Sequence, residues 1–200
     1  MNILPGASQT FNTLKHVPLN VYMLLALAFM LINSSIIVPD AEIAKFELTL
    51  IVYMVFLALF QRYINAPGFK MNLNKASIWF VGGFAVTTLA MVGLQNLPFE
   101  SASTYAVTAP FYLIISHVFI VAYSEEMIFR GALPNIITPI PAAVAFSLFH
   151  VSAYGGNILS LVVAFVAGML FYVIMRYTNI WTVIGVHSAY NCAVLGVLGL

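Results

Sequence analysis

The sequence predicts an all-α protein: a polytopic transmembrane bundle of about seven helices, within a range of six to eight, one of them short. Its 200 residues are 62% hydrophobic and 6% charged, whereas about a quarter of the residues of a soluble domain are charged. Most apolar residues fall in runs of about 20, the length with which an α-helix crosses a bilayer core about 30 Å thick. Helices are expected because a spanning segment must pair its own backbone groups.

The candidate spans follow one another along the whole chain. The first ends in INSSIIV, which lacks a small-x-small cleavage signature, and its 22 uncharged residues are too many for a signal-peptide core. We therefore interpret it as a retained membrane helix, and residues 1–200 as one integral-membrane domain. The spans are 17–38, 43–64, 76–97, 109–130, the short 141–154, 157–175 and 180–199.

Helix-breaking residues divide the uncharged stretch 131–175, which is too long for one span. The run GGN at 155–157 is a turn signal within it. Pro139 and Pro141 come just before the short span, and proline suits the first turn of a helix, where its missing N–H costs nothing. The pattern predicts two helices joined by a tight turn.

The positions of lysine and arginine predict the orientation, because cytoplasmic loops are enriched in these residues. Six of the seven basic residues fall on one side of the seven-span arrangement. The N-terminus is therefore predicted to be cytoplasmic, with a bacterial inner (plasma) membrane as the expected location. The six residues are Lys15, Arg62, Lys70, Lys75, Arg130 and Arg176.

The composition also limits the partners of the protein. The net charge is +1 and the charges are scattered, so no basic stripe is available for phosphate contacts and nucleic acid is not an expected partner. The single cysteine, Cys192, lies in an apolar run and forms no intrachain disulfide. Membrane lipid is an expected partner, and the sequence carries no prediction of the oligomeric state.

Six Glu, His and Arg residues lie within the predicted spans 109–130, 141–154 and 180–199, where such groups cost several kcal/mol and are expected to face the bundle interior for a functional reason. Glu126 and Arg130 are four residues apart, so they should pair and partly offset each other's burial cost. Glu125 points about 100° away from Glu126 on a helix and is left for chemistry. The others are His117, interpreted as a core hydrogen-bonding residue, His150 and His187.

Three of these residues are predicted at similar depths in the cytoplasmic half of the membrane. At about 1.5 Å per residue, Glu125 lies about 7 to 8 Å, His187 about 10 Å and His150 about 13 Å from the cytoplasmic surface. The spans were chosen from apolar length and charge alone, so the similar depths of these three residues played no part in that choice. Their convergence predicts a shared site.

Three short motifs carry these residues: EEMIFR at 125–130, FSLFH at 146–150 and HSAYN at 187–191. As EExxxR, FxxxH and HxxxN in this order, they resemble the CPBP family of intramembrane proteases. That family includes type II CAAX-prenyl endopeptidases and bacteriocin-processing or self-immunity proteins. The resemblance covers about 105–195, the motif-bearing core, and family members tend to have eight spans.

The resemblance implies an endopeptidase that cleaves a peptide or membrane-protein substrate near the cytoplasmic membrane face. Glu125 would be the carboxylate that activates water, assisted by His150, while His187 and Asn191 hold the oxyanion. Peptide hydrolysis needs such an activated water, donors for the tetrahedral oxyanion and a proton for the leaving amine. The residues expected to support the site are Glu126, Arg130 and Phe146.

Three alternatives stay open from the sequence. A zinc ion held by His150, His187 and Glu125 would make the protein a metalloprotease, since two histidines and a carboxylate form a hydrolytic ligand set. The sequence has no HExxH helix, so we prefer the metal-free interpretation and predict no firm cofactor. Buried Glu, His and Arg side chains also build transport and proton or ion pathways. A non-enzymatic, peptide-binding immunity scaffold would keep the same motifs.

Overall fold

The computed structural model describes residues 41–93, 114–151, 154 and 156–194, and all regular secondary structure in this part of the chain is helical. The all-α fold class is confirmed for these residues. The chain divides into two compact units, Met1–Met54 and Val55–Leu200. The predicted span 17–38 lies outside the described residues, as do the ends of three further spans.

The helices are numbered here in chain order. In the described ranges they are α1 (Ala41–Phe60), α2 (Leu73–Gly93), α3 (114–132), α4 (Pro134–Ile137), α5 (Pro139–Phe149), α6 (Ile158–Tyr177) and α7 (Ile180–Val194). A 3₁₀ turn, Gln61–Tyr63, follows α1. Helix α3 is irregular, because its α-helical centre, Ala122–Glu126, lies between two π-helical segments, Ser116–Val121 and Met127–Ala132. Such wide turns are rare in proteins, and those that occur are often found at functional sites.

Local sequence signals account for the boundary between α5 and α6. Pro139 lies in the first turn of α5, so this helix begins two residues before the expected start, and its last residue, Phe149, lies five residues before the expected end. A turn is present at Gly156, within the predicted turn. Gly156 has a φ of +75°, and the side chain of Asn157 accepts a hydrogen bond from the N–H of Ser160 at 3.1 Å, which caps α6.

Two helices of the described residues, α2 and α6, are long and apolar enough to cross a membrane. Most of their side chains are exposed, including Ile78 at 71% and Leu159 at 73%. Shorter apolar stretches occupy Leu50–Tyr63 and Pro139–Phe149. Exposed apolar surface of this extent marks an interaction with lipid or protein. The number of spans, about seven, stays a prediction.

Helices α2 and α7 pack backbone to backbone through two glycines. A Cβ on Gly83 would overlap the carbonyl oxygen of Thr182, and a Cβ on Gly185 would overlap the carbonyl oxygen of Phe80. Small residues allow membrane helices to approach this closely. The contact fixes α7, which carries the HSAYN motif, against α2.

Candidate active site

The central helix of the site is α3, whose C-terminal part is enclosed on all sides. Every residue from 121 to 132 is buried, although a helix at the edge of a bundle exposes one face. Glu125 and Glu126 are only 2% and 0% exposed, and both belong to the α-helical centre of α3. Two adjacent carboxylates therefore lie inside the protein, on different faces of one helix.

The ion pair expected between Glu126 and Arg130 is present. Nη1 of Arg130 donates to Oε1 of Glu126 at 3.1 Å, and both side chains are buried. The guanidinium carbon lies 4.0 Å from the ring centroid of Phe146 and 5.2 Å from that of Phe171, so two aromatic rings contact the cation. Arg130 thus compensates the charge of Glu126 and is held by side chains of α3, α5 and α6.

His187 of α7 lies between the two glutamates. Its Nδ1 is 2.7 Å from Oε1 of Glu126, and we assign a proton to this nitrogen because a carboxylate oxygen only accepts. Its Nε2 lies 3.6 Å from Oε2 of Glu125. Glu126 therefore has a second contact that the sequence did not predict: besides pairing with Arg130, it orients His187.

His150 approaches the other oxygen of Glu125. Its Nδ1 donates to the carbonyl oxygen of Phe146 at 2.8 Å, so Nε2 is the acceptor of the neutral ring. Nε2 lies 3.9 Å from Oε1 of Glu125. The ring stacks on Tyr154, with centroids 5.6 Å apart. Side chains from α3, the end of α5 and α7 thus meet at Glu125, at the place where their predicted depths converge.

Asn191 lies one turn after His187 on α7 and is directed to α3. Its Nδ2 donates to the carbonyl oxygen of His117 at 3.3 Å. An amide nitrogen carries two hydrogens, and this bond uses one of them. His117, interpreted from the sequence as a core hydrogen-bonding residue, thus contributes its backbone to the contact between α3 and α7.

Residues 107–193 match the family model described as type II CAAX prenyl endopeptidase Rce1-like. This match supports the resemblance of the region to the CPBP family of intramembrane proteases. The matched region contains all three motifs. The family is membrane-embedded and proteolytic, so the match supports a CAAX-type intramembrane protease. No curated protein and no solved structure matches the chain significantly.

Two aromatic residues at the site were not predicted from the sequence. The ring of Phe171 on α6 lies 5.5 Å from that of His187 and contacts Arg130, and Tyr154 stacks on His150. Helix α6 is apolar along most of its length, so nothing in its sequence distinguishes Phe171 from its neighbours. Tyr154 lies in a turn, where helical spacing gives no signal.

Zinc on His150, His187 and Glu125 was the alternative interpretation of the site. The described residues contain no group of three or more His, Cys, Asp or Glu side chains placed to hold a metal ion. The metalloprotease alternative is therefore not supported by the described residues, and the mechanism proposed for the site uses its side chains alone.

Proposed function

We propose that this protein is an endopeptidase that hydrolyses a peptide bond of a protein or peptide substrate near the cytoplasmic membrane face, with water activated by Glu125 and His150. One observation carries the proposal: Nε2 of His150 and Nε2 of His187 face the two oxygens of Glu125, at 3.9 and 3.6 Å. This carboxylate is buried, where electrostatic interactions are stronger than in water. The match to a protease family supports a role of the Glu125 carboxylate in hydrolysis.

In this mechanism the nucleophilic water lies between Glu125 and His150. The facing atoms, Oε1 and Nε2, are both acceptors when the ring is neutral, and their separation of 3.9 Å is too long for a direct hydrogen bond. One water molecule with two hydrogen bonds of about 2.8 Å bridges acceptors at such a distance. As the water oxygen attacks the peptide carbonyl carbon, a water proton passes to Glu125 and then to the leaving amine.

His187 and Asn191 stabilise the negative oxygen of the tetrahedral intermediate. The second hydrogen on Nδ2 of Asn191 provides one donor, and Nε2 of His187 provides the other when the ring carries both protons. The hydrogen bond from Nδ1 to the carboxylate of Glu126, at 2.7 Å, stabilises that charged ring. Donors held in place before the reaction often make the largest electrostatic contribution to catalysis.

The buried charges allow one proton to move within the site. With both glutamates ionised, Glu125, Glu126 and Arg130 together carry a net charge of −1. One additional proton, on Glu125 or on a histidine, makes this cluster neutral. The cluster can therefore hold one proton for a short time. Hydrolysis uses this capacity, because a proton is taken from water in one step and given to the amine in the next.

The exposed cations support the proposed orientation, with the N-terminus in the cytoplasm of a bacterial cell. Arg62 follows α1, Lys75 lies at the start of α2, and Arg176 lies in the last turn of α6. These helix ends are close together in the fold, because the N–H of Ile180, just after α6, donates to the carbonyl oxygen of Pro67 at 2.9 Å. Basic residues at one end of a bundle mark the cytoplasmic side.

Replacement of Glu125 with glutamine tests the proposal. Glutamine has nearly the same shape as glutamate, but its amide cannot take a proton from water. We expect Glu125→Gln to insert and purify like the wild type and to cleave none of a library of acylated, quenched-fluorescent peptides in proteoliposomes. Gly82→Ala is the control variant, because a Cβ at Gly82 meets no atom within 4 Å, and it should cleave at the wild-type rate.

Other outcomes would identify a different function. Cleavage by Glu125→Gln at the wild-type rate would exclude Glu125 as the base. Proton or solute flux that requires Glu125, in proteoliposomes that cleave no peptide, would assign the buried cluster to transport. Binding of a peptide without cleavage, unchanged in Glu125→Gln, would indicate an immunity scaffold.

A further inference from the structure

We propose that the loop 64–72, called here the clasp loop, is a positioning element that sets the distance between α3 and α7 and so places His187 against Glu126. The loop connects the 3₁₀ turn after α1 to α2 and lies outside all three motifs. This inference rests on the proposed function, because the two helices that the loop joins carry the proposed catalytic residues.

One part of the clasp loop is bonded to the C-terminal end of α3. The N–H of Asn65 donates to the carbonyl oxygen of Gly131 at 2.9 Å. Nδ2 of Asn135, in α4, donates to the same oxygen at 2.7 Å and to the carbonyl oxygen of Tyr63 at 3.1 Å. A carbonyl at the end of a helix has no partner within the helix, and here the loop and Asn135 satisfy it. The end of α3 is therefore fixed to the loop.

Another part of the clasp loop is bonded to the start of α7. The carbonyl oxygen of Pro67 accepts from the N–H of Ile180 at 2.9 Å. The carbonyl oxygen of Gly68 accepts from Nε1 of Trp181 at 3.0 Å. The side chain of Asn179 caps the same helix start, since its Oδ1 accepts two backbone N–H groups, at 3.0 and 3.1 Å. One short loop thus holds both site-bearing helices.

Gly68 is the point of closest approach between the clasp loop and the start of α7. Its φ is +78°, a conformation that favours glycine. A Cβ at this position would lie 2.6 Å from Cβ of Asn179 and 3.1 Å from the terminal methyl group of Met71. The first of these distances is shorter than real Cβ contacts. A larger residue at Gly68 therefore displaces the loop, the start of α7, or both.

Short lengths of helix connect these anchor points to the site. Gly131 lies five residues after Glu126, and Ile180 lies seven residues before His187, which correspond to about 7 and 10 Å along the two helix axes. The bond between His187 and Glu126 is 2.7 Å long, so a shift of about 1 Å between α3 and α7 would break it, and misplacement of this size lowers rates about a hundredfold. The clasp loop contacts no reacting atom and acts through this bond.

Gly68→Ala tests the inference, with Gly156→Ala as its matched control. Gly156 has nearly the same φ, +75°, but a Cβ there meets no atom within 4 Å. Both variants place alanine at a positive φ, and only Gly68→Ala separates the loop from α7. In the full-length protein, with the library peptide that the wild type cleaves best, we expect Gly68→Ala to lower kcat per folded molecule by about tenfold to a hundredfold. KM should stay near the wild-type value, and Gly156→Ala should retain the wild-type kcat.

A double-mutant cycle separates positioning from a general loss of structure. If the clasp loop acts through the bond between His187 and Glu126, Gly68→Ala should cost little more in kcat when Glu126→Gln has already altered that bond. Losses in kcat that multiply, or a normal kcat for the folded fraction of Gly68→Ala, would overturn the inference. If the wild type cleaves no peptide, the proposed function fails. The clasp loop is then tested by the thermal unfolding of Gly68→Ala, Glu126→Gln and the double variant. Non-additive losses of stability would then support the clasp, and additive losses would refute it.

Discussion

His187 and Glu126 are joined by a hydrogen bond of 2.7 Å between α7 and α3, and the same carboxylate pairs with Arg130 at 3.1 Å. Glu126 therefore contacts both a cation that neutralises it and a histidine that it orients. Glu125, the next residue, faces the Nε2 atoms of His150 and His187. The two adjacent buried acids thus share His187, and each has one further partner, Arg130 for Glu126 and His150 for Glu125.

Replacement of Glu126 with glutamine should lower both stability and cleavage. The glutamine can still accept a hydrogen bond from His187, but the buried Arg130 loses its counter-charge, which costs about 3–5 kcal/mol. Loss of the carboxylate behind the histidine should lower kcat by a factor on the order of 10³ or more. Thermal unfolding in detergent and peptide cleavage in proteoliposomes measure the two effects.

The double variant Glu126→Gln, Arg130→Gln is the control for this prediction. It removes both charges of this ion pair, so Arg130 no longer leaves a buried cation without its counter-charge, and it should be more stable than Glu126→Gln alone. Its cleavage should stay as slow, because the carboxylate behind His187 is still missing. A double variant no more stable than the single one would show that the charge of Arg130 is not what destabilises the single variant.

Local features of the site could be predicted from the sequence, whereas contacts between helices could not. The pairing of Glu126 with Arg130 follows from helical spacing within one segment. The bond from Glu126 to His187 depends on the rotation and depth of two separate helices, which no motif specifies. The same holds for the bond from Asn191 to the backbone of His117. The motifs therefore identified residues of the site, but not which atom faces which.

In the fold, too, local features could be predicted from the sequence and contacts between helices could not. Proline, the GGN turn signal and apolar length predicted the start of α5 and both limits of α6 to within two residues, because these signals act locally, whereas α5 ends five residues earlier than predicted. The π-helical segments on both sides of Ala122–Glu126 have no comparable local signal. The close contacts of α2 with α7 through Gly83 and Gly185 are not evident from the sequence either, since their glycines lie far apart in it.

Phe171→Leu should lower cleavage, although Phe171 lies outside the three motifs. Its ring contacts both Arg130 and His187, and a cation–π contact away from water is worth about 2 kcal/mol. Phe165→Leu makes the same chemical change on the same helix, at a position that lines an apolar groove with Leu148 and Leu161. Both variants lose a similar amount of packing, but only Phe171→Leu also loses the cation–π contact, so it should be the less stable of the two in thermal unfolding and the only one with a lower kcat. Equal kcat values would show that Phe171 contributes packing alone.

Removal of metal ions should leave cleavage unchanged. The described residues hold no group of three or more metal-binding side chains in suitable positions, and the proposed mechanism uses Glu125 and two histidines directly. We therefore expect the purified protein to contain zinc well below a stoichiometric amount and to keep its activity after treatment with a chelator. Stoichiometric zinc that is lost in His150→Ala or His187→Ala would instead establish a metal site.

Gly83→Ala and Gly82→Ala should change stability in opposite directions, although they are neighbours in α2. A Cβ on Gly83 would overlap the backbone of Thr182, whereas a Cβ on Gly82 meets no atom within 4 Å. Overpacking costs about 1–3 kcal/mol, and alanine in a helix is favoured over glycine by about 0.5–1 kcal/mol. Thermal unfolding should therefore show Gly83→Ala below and Gly82→Ala at or above the wild type. Because Thr182 lies in α7 five residues before His187, Gly83→Ala should also lower kcat. Wild-type stability and kcat in Gly83→Ala would show that α2 and α7 do not pack this closely.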